Sequence, residues 1–206
     1  LRLWDALERN LLVPFHYFAV GSEDLDFSRA RWNAGRYNAD DLDEVLTGND
    51  VIMNWVLREI AHVVTDPLTM KALVFAGGVR HARFVALRLN EAGIRSIALD
   101  AETPKPVRAQ AVRDLRAGAI QAIVSVDIFN EGVDIPEVDT VVMLRPTESG
   151  TVFLQQLGRG LRKTSAKSFL TVLDFVGMQR QEFRYDIRFR ALTGIGRRRL
   201  EQAITE

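Results

Sequence analysis

Short β-branched runs separated by helix-forming stretches limit what this chain can fold into. The clearest pair is Ala122-Ile-Val-Ser-Val-Asp127 and Thr140-Val-Val-Met-Leu144. The first leads into Ile128-Phe-Asn-Glu-Gly-Val-Asp-Ile-Pro136, and the segment after the second ends in Gln155-Gln-Leu-Gly-Arg-Gly-Leu-Arg162. Such runs, each followed by a polar, glycine-bearing segment, read as strands of a parallel sheet. Ligands of these sheets gather at the carboxyl ends of the strands. On this reading Asp127, Gly132, Asp134, Arg159 and Arg162 all lie there.

The series extends in both directions from that pair. Ala72–Ala76 is a strand, Gly77-Gly78 a turn, and 79–92 a helix with Ala82, Val85, Ala86 and Leu89 inward, ended by Gly93 in a left-handed cap. Ser96–Leu99 is the next strand. The helix at 104–117 has proline in its first turn and Gly118 just past its end. Strands at 119–126, 139–144 and 168–174, with a helix at 150–162, complete the alternation. Strands alternating with helices of this length give βαβ units, an α/β fold with a mostly parallel sheet and helices on both faces.

The flanks differ from this core. Residues 1–66 read as a lead-in packed on the same domain: a helix over 1–12, an aromatic edge strand over 14–20, a polar loop from Gly21 to Asp41, a short helix at 40–46 and a longer one at 50–64. Thr47 or Asn49 is placed to cap the last of these. Residues 67–178 form the main domain. Residues 179–206, with Arg197-Arg-Arg199, read as a basic helical extension leading to a further domain; a solvated helix pair accounts for it equally well. The first residue is Leu, so the chain is expected to be a piece of a longer one.

Composition excludes several classes. No apolar run approaches the roughly 20 residues that span a bilayer, so no membrane partner is expected. There is no cysteine, and His16, His62 and His81 are too scattered for a metal site, so none is assigned. A reducing, cytoplasmic setting fits. Net charge is zero, yet only four of the 27 basic residues are Lys. Arginine suits planar, bidentate phosphate recognition. GC-rich coding would leave the same imbalance.

Arg159 and Arg162, three apart on the expected helix, would present two guanidinium groups on one face beside a glycine that permits close approach. That arrangement suits a triphosphate whose charge develops in the transition state, where such an arginine is worth about three to five orders of magnitude in rate. A pair of surface arginines on an amphipathic helix is the plainer reading. Asp134, in a loop beyond a buried strand, could accept hydrogen bonds from a ribose or organise the arginines; it could equally cap local amides.

In this order and spacing the segments resemble motifs V and VI of the superfamily 2 helicases and translocases. The matching pieces are Asp127, Glu131-Gly132-x-Asp134-x-Pro136 and Gln155-x-x-Gly158-Arg159-x-x-Arg162. Ala72 through Ala82 resembles the motif IV strand and helix start, and Asp100 through Gly118 a segment that usually begins His-Gly. Phe129 through Pro136, with Arg145-Pro-Thr-Glu-Ser149, is most similar to bacterial helicases related to restriction-enzyme translocating subunits. Two departures stand out: Val126 replaces the Thr before Asp127, and Asp100-Ala101 replaces His-Gly.

The resemblance implies the second RecA-like domain of a two-domain motor. Arg159 and Arg162 would act as arginine fingers, with Gly132, Asp134, Gln155 and Gly158 on the nucleotide side. Gly77, Arg80, Thr103, Arg108 and Asp127 would contribute to the strand track. The chain has no Gly-x-x-x-x-Gly-Lys-Ser/Thr and no apolar strand ending in Asp-Glu, so ATP and Mg2+ would be held mainly by a P-loop domain of the same polypeptide. The partners implied are that domain and nucleic acid, DNA rather than RNA. Two other classes were weighed: a non-catalytic binding or regulatory module on a degenerate RecA-like fold, and a dinucleotide enzyme, which would want Gly-x-Gly-x-x-Gly where the chain has Phe75-Ala-Gly-Gly-Val-Arg80.

Overall fold

The computed structural model describes residues 3–33, 36–126, 135–146, 149–164 and 167–178. Six strands form one sheet: β1 (Phe15–Asp26), β4 (Ala72–Phe75), β5 (Ser96–Leu99), β6 (Ala122–Ser125), β7 (Thr140–Met143) and β8 (Leu170–Met178). Their order is β1-β8-β7-β4-β6-β5, and every neighbouring pair is parallel. A two-residue pair, β2 (Trp32–Asn33) and β3 (Arg36–Tyr37), stands apart. The helices are α1 (Leu3–Glu8), α2 (Ala39–Leu46), α3 (Asp50–Val63), α4 (Val79–Glu91), α5 (Lys105–Ala117) and α6 (Gly150–Gly160). This is the RecA-like α/β architecture. Residues 179–206, including the expected helical extension, lie outside the described residues.

The period of two along β4 divides the core. Ala72 and Val74 pack with α2, α3 and α4, whereas Leu73 and Phe75 pack with α5 and α6. The two apolar layers are why the strand runs carry no polar alternation. Ala82, Val85, Ala86 and Leu89 are all buried, as helical spacing required. Gly93 and Gly118 both take positive φ just beyond their helices. The Asn49 side chain accepts from the Ile52 N–H and caps α3. Among the described residues no helix is long and apolar enough to cross a membrane.

Several boundaries depart from the sequence reading. α1 stops at Glu8 because Asn10 adopts a left-handed conformation (φ 58°). β1 continues to Asp26 through a stretch that reads as loop, carried by its pairing with β8. β6 begins at Ala122, since residues 119–121 are still bonded to the end of α5 and to Arg95. β8 runs on to Met178.

Candidate functional site

α6 begins at a Ser149 cap, whose Oγ accepts from the Val152 N–H at 3.3 Å. Its inward stripe is Phe153, Gln156 and Leu157, and Gln155 faces solvent. The two glycines of this helix differ. A Cβ at Gly158 would meet nothing within 4 Å, but one at Gly160 would lie 2.3 Å from Leu170 Cδ1. The close packing within the fold is thus at Gly160, against β8, while Gly158 stays open.

The helix ends at Gly160 with Leu161 as its C-cap, so Arg162 is not on α6 and does not share a helix face with Arg159. Arg162 instead forms an antiparallel bridge with Leu12. The Val13 N–H donates to the Leu161 carbonyl at 2.8 Å, and Lys163 Nζ donates to Asn10 Oδ1. Residues 10–13 thus brace the exit of α6. They immediately precede β1, which puts Leu161 and Arg162 at the amino edge of the sheet rather than the carboxyl edge. The reason is topological: a crossover helix between parallel strands must run back to the start of the next strand, so its last turn lies at the opposite edge from its first. The Arg159 side chain lies outside the described ones, as do Asp127, Gly132 and Asp134 with the rest of 127–134.

Sequence reasoning missed Lys167. Its Nζ donates to three carbonyls, those of Pro136, Val138 and Gly160, each at 2.7 Å. The ammonium therefore ties residues 136–138 to the last turn of α6. Burial pulls its pKa down to about 8, against the opposing pull of Asp139 and Glu137. Asp139 accepts from the Lys71 N–H at 3.0 Å and the Thr140 hydroxyl at 2.8 Å, and burial raises its pKa. The available signal was a lysine at the foot of a buried strand, in a chain with only four.

The remaining expected residues gather at the carboxyl edge. Gly77 is buried and its N–H donates to His81 Nδ1 at 3.1 Å. Asp43, on α2, was not singled out in the sequence. It accepts from the Arg80 N–H at 3.2 Å and the His81 N–H at 2.7 Å, and lies 3.8 Å from the Arg80 guanidinium. Gly78, the residue before α4, has no side chain to cap it, so the distant carboxylate of Asp43 does so. The Gly77-Gly78 pair makes room for this: a Cβ at Gly78 would sit 2.4 Å from Asp43 Cγ, and one at Gly77 2.6 Å from Leu46 Cδ1. His81 is fully enclosed, and desolvation pulls its pKa down to about 4.

At the end of β5, Asp100 accepts from the Thr103 N–H and hydroxyl, both at 2.9 Å, which hold its pKa below the usual carboxylate range. Arg108 reaches back to this turn, its Nε donating to the Thr103 carbonyl and its NH2 group to that of Ala101, each at 2.7 Å. Arg83 pairs with Asp100 at 3.3 Å. Asp100 thus organises the turn where the resembling segment has His. β6 lies between β4 and β5, so Arg80, Thr103 and Arg108 flank the point where the chain enters 127–134.

Residues 55–164 match the family model for the helicase conserved C-terminal domain. A 51.5 kDa protein of a Lactococcus phage is 31% identical over 161 residues, 78% of this chain and 34% of the phage protein. The ATP-dependent RNA helicase SrmB of Escherichia coli is 29% identical over 103 residues, covering 50% of this chain and 23% of SrmB. The chain thus spans about a third or less of these relatives' length. Among solved structures, a fragment assigned to an HsdR subunit of a type I restriction enzyme from Vibrio vulnificus superposes with a TM-score of 0.65 at 20% identity, covering 89% of this chain and 36% of that one.

Proposed function

The chain belongs to the family of helicase conserved C-terminal domains, and from that premise we propose that it is the second motor domain of an ATP-dependent helicase or translocase. The observation that carries the reading is the matched segment itself. It spans the whole alternation from α3 through α6 and includes the Gln155–Arg162 run, on a sheet of the RecA-like kind. In this proposal residues 67–178 are the motor domain, 1–66 complete its core and 179–206 lead to a further domain. The complete protein works in the cytoplasm, as a motor of the kind found in restriction-enzyme translocating subunits.

The donor set fits a nucleotide held from one side. Arg159 and Arg162 offer guanidinium groups for phosphate oxygens, Gly158 an open backbone, and Asp134 with Gln155 polar groups for a ribose. One carboxylate is too few for a magnesium cage, so ATP and Mg2+ rest mainly on the P-loop domain. Bound ATP supplies the phosphoanhydride whose hydrolysis drives the cycle. This chain's own part is electrostatic: Arg159 and Arg162 neutralise charge developing on the transferred phosphoryl group. Domain closure and opening would then shift the grip on one strand. Gly77, Arg80, Thr103, Arg108 and Asp127 sit at or beside strand ends suited to backbone contacts that ignore sequence. Several of these groups are already engaged within the fold, so their contribution is to shape the track as much as to touch it.

DNA is the proposed polymer, by analogy with the restriction-enzyme subunit; the RNA helicase among the relatives makes RNA the necessary comparison. The test is ATP hydrolysis by the complete protein with single-stranded DNA, duplex DNA and RNA in turn, with the isolated 206-residue chain as control. Stimulation by DNA with an inert isolated chain is expected. Hydrolysis by the isolated chain, or no hydrolysis by the complete protein with any polymer, contradicts the reading.

A further inference from the structure

We propose that Lys167 is a positioning residue for the arginine fingers, its ammonium locking the end of α6 to the segment 136–138. The inference rests on the motor reading above and deepens it. Its basis is geometric. An ammonium has three N–H donors, and all three are taken by carbonyls of two separate segments: Pro136, Val138 and Gly160, each at 2.7 Å. Gly160 directly follows Arg159 and lies two residues before Arg162. Pro136 lies two residues after Asp134 in the chain. The residue is 9% exposed, so the three bonds work in a partly dry setting where each is stronger than in water.

The location favours this use of a cation. The Gly160 carbonyl belongs to the last turn of a helix, where the backbone dipole presents negative charge. Asp139 and Glu137 face the ammonium electrostatically from the segment before β7, and Lys71 and Arg116 lie beside those acids. Removing the ammonium would release the last turn of α6 from residues 136–138. Neither segment would unfold, because α6 keeps its apolar stripe, Leu161 keeps its bond to Val13, and Ile135 and Val138 stay buried. A residue that sets the aim of a transition-state group changes turnover rather than substrate binding.

The test uses the complete protein and measures nucleic-acid-stimulated ATP hydrolysis for wild type, Lys167→Gln, Lys167→Arg and Arg159→Ala, with melting temperature and nucleic-acid affinity alongside. For Lys167→Gln we expect kcat to fall about 10- to 100-fold, the loss typical of a small misplacement, with KM for ATP and polymer affinity unchanged. The lowered pKa adds a second readout. Wild-type kcat should decline above about pH 8 as the ammonium is lost, and Lys167→Arg, which stays charged, should lose that decline. If Arg159→Ala is crippled while folded Lys167→Gln turns over like wild type, the positioning role is overturned and the motor reading survives. If Arg159→Ala matches wild type, both fall. If Lys167→Gln fails to fold, the pH profiles decide: a flat wild-type profile, or the same decline in Lys167→Arg, overturns the proposal.

Discussion

Gly158 and Gly160 sit two residues apart on α6 and carry opposite constraints. Gly158→Ala adds a methyl to open space within a helix and should leave stability unchanged or raise it by up to about 1 kcal/mol. Gly160→Ala drives a Cβ into the Leu170 side chain, so α6 must lift from β8 or Leu170 must leave its rotamer, at a cost of about 1–3 kcal/mol. Urea unfolding of the two variants checks this, and equal midpoints would show that the packing of α6 on β8 is misjudged. If Gly158 faces nucleotide, Gly158→Ala will also raise KM for ATP while the protein stays fully folded. His81 is governed by the proton rather than by volume. Its pKa, about 4 in the fold against 6.5 unfolded, means the fold holds the neutral ring. The associated stability is complete above pH 6.5 and is lost as pH falls toward 4, amounting to about 2 kcal/mol by pH 5. Urea midpoints from pH 7 to 5 should fall in wild type by that amount more than in His81→Gln; parallel curves would contradict it.

At the scale of elements, the junction of α2 with α4 is a contact between distant parts of the chain. Asp43 supplies the cap that Gly78 cannot, and the two glycines exist in the space α2 needs. Asp43→Ala should therefore cost about 1–2 kcal/mol, the usual worth of an N-cap, read as a drop in the urea midpoint. The ion pair with Arg80 adds little, since that guanidinium is 65% exposed. None of this was legible in the sequence. Gly77-Gly78 reads as a turn on local grounds, and nothing local links it to residue 43. The strands and helices of residues 72–126 were legible, because each apolar run and each cap is a short-range signal. β1 beyond Gly21 was not, since its extended form comes from the neighbouring β8 and not from its own polar residues. The shared helix face expected of Arg159 and Arg162 was not legible, because α6 ends at Gly160. The rule that ligands meet carboxyl edges applies to loops after strands, and Arg162 follows a crossover helix instead.

At the scale of the whole molecule, the segment before Pro67 packs on both faces of the sheet, Val13, Phe15 and Tyr17 on one and α2 and α3 on the other. Leu42, Leu46, Ile52, Val56 and Ile60 bury Val74, Val142 and Leu173 from that side, and Tyr17 on β1 donates to the buried Asp174 at 2.5 Å. A chain beginning at Pro67 should consequently lose cooperative unfolding and expose apolar surface to a hydrophobic dye; a sharp, two-state transition in that truncated chain would show that the lead-in is a separate body. The same segment braces the exit of α6 through Leu12, Val13 and Asn10, so what completes the core also holds the turn that carries Leu161 and Arg162. The central claim is that this domain supplies a charge that ATP hydrolysis cannot do without. The most direct measurement is single-turnover ATP hydrolysis by the complete protein, saturated with DNA, comparing wild type with Arg159→Ala. The account predicts a loss of about three to five orders of magnitude in the chemical step, with DNA affinity and melting temperature retained. A variant that hydrolyses ATP at the wild-type rate would contradict it.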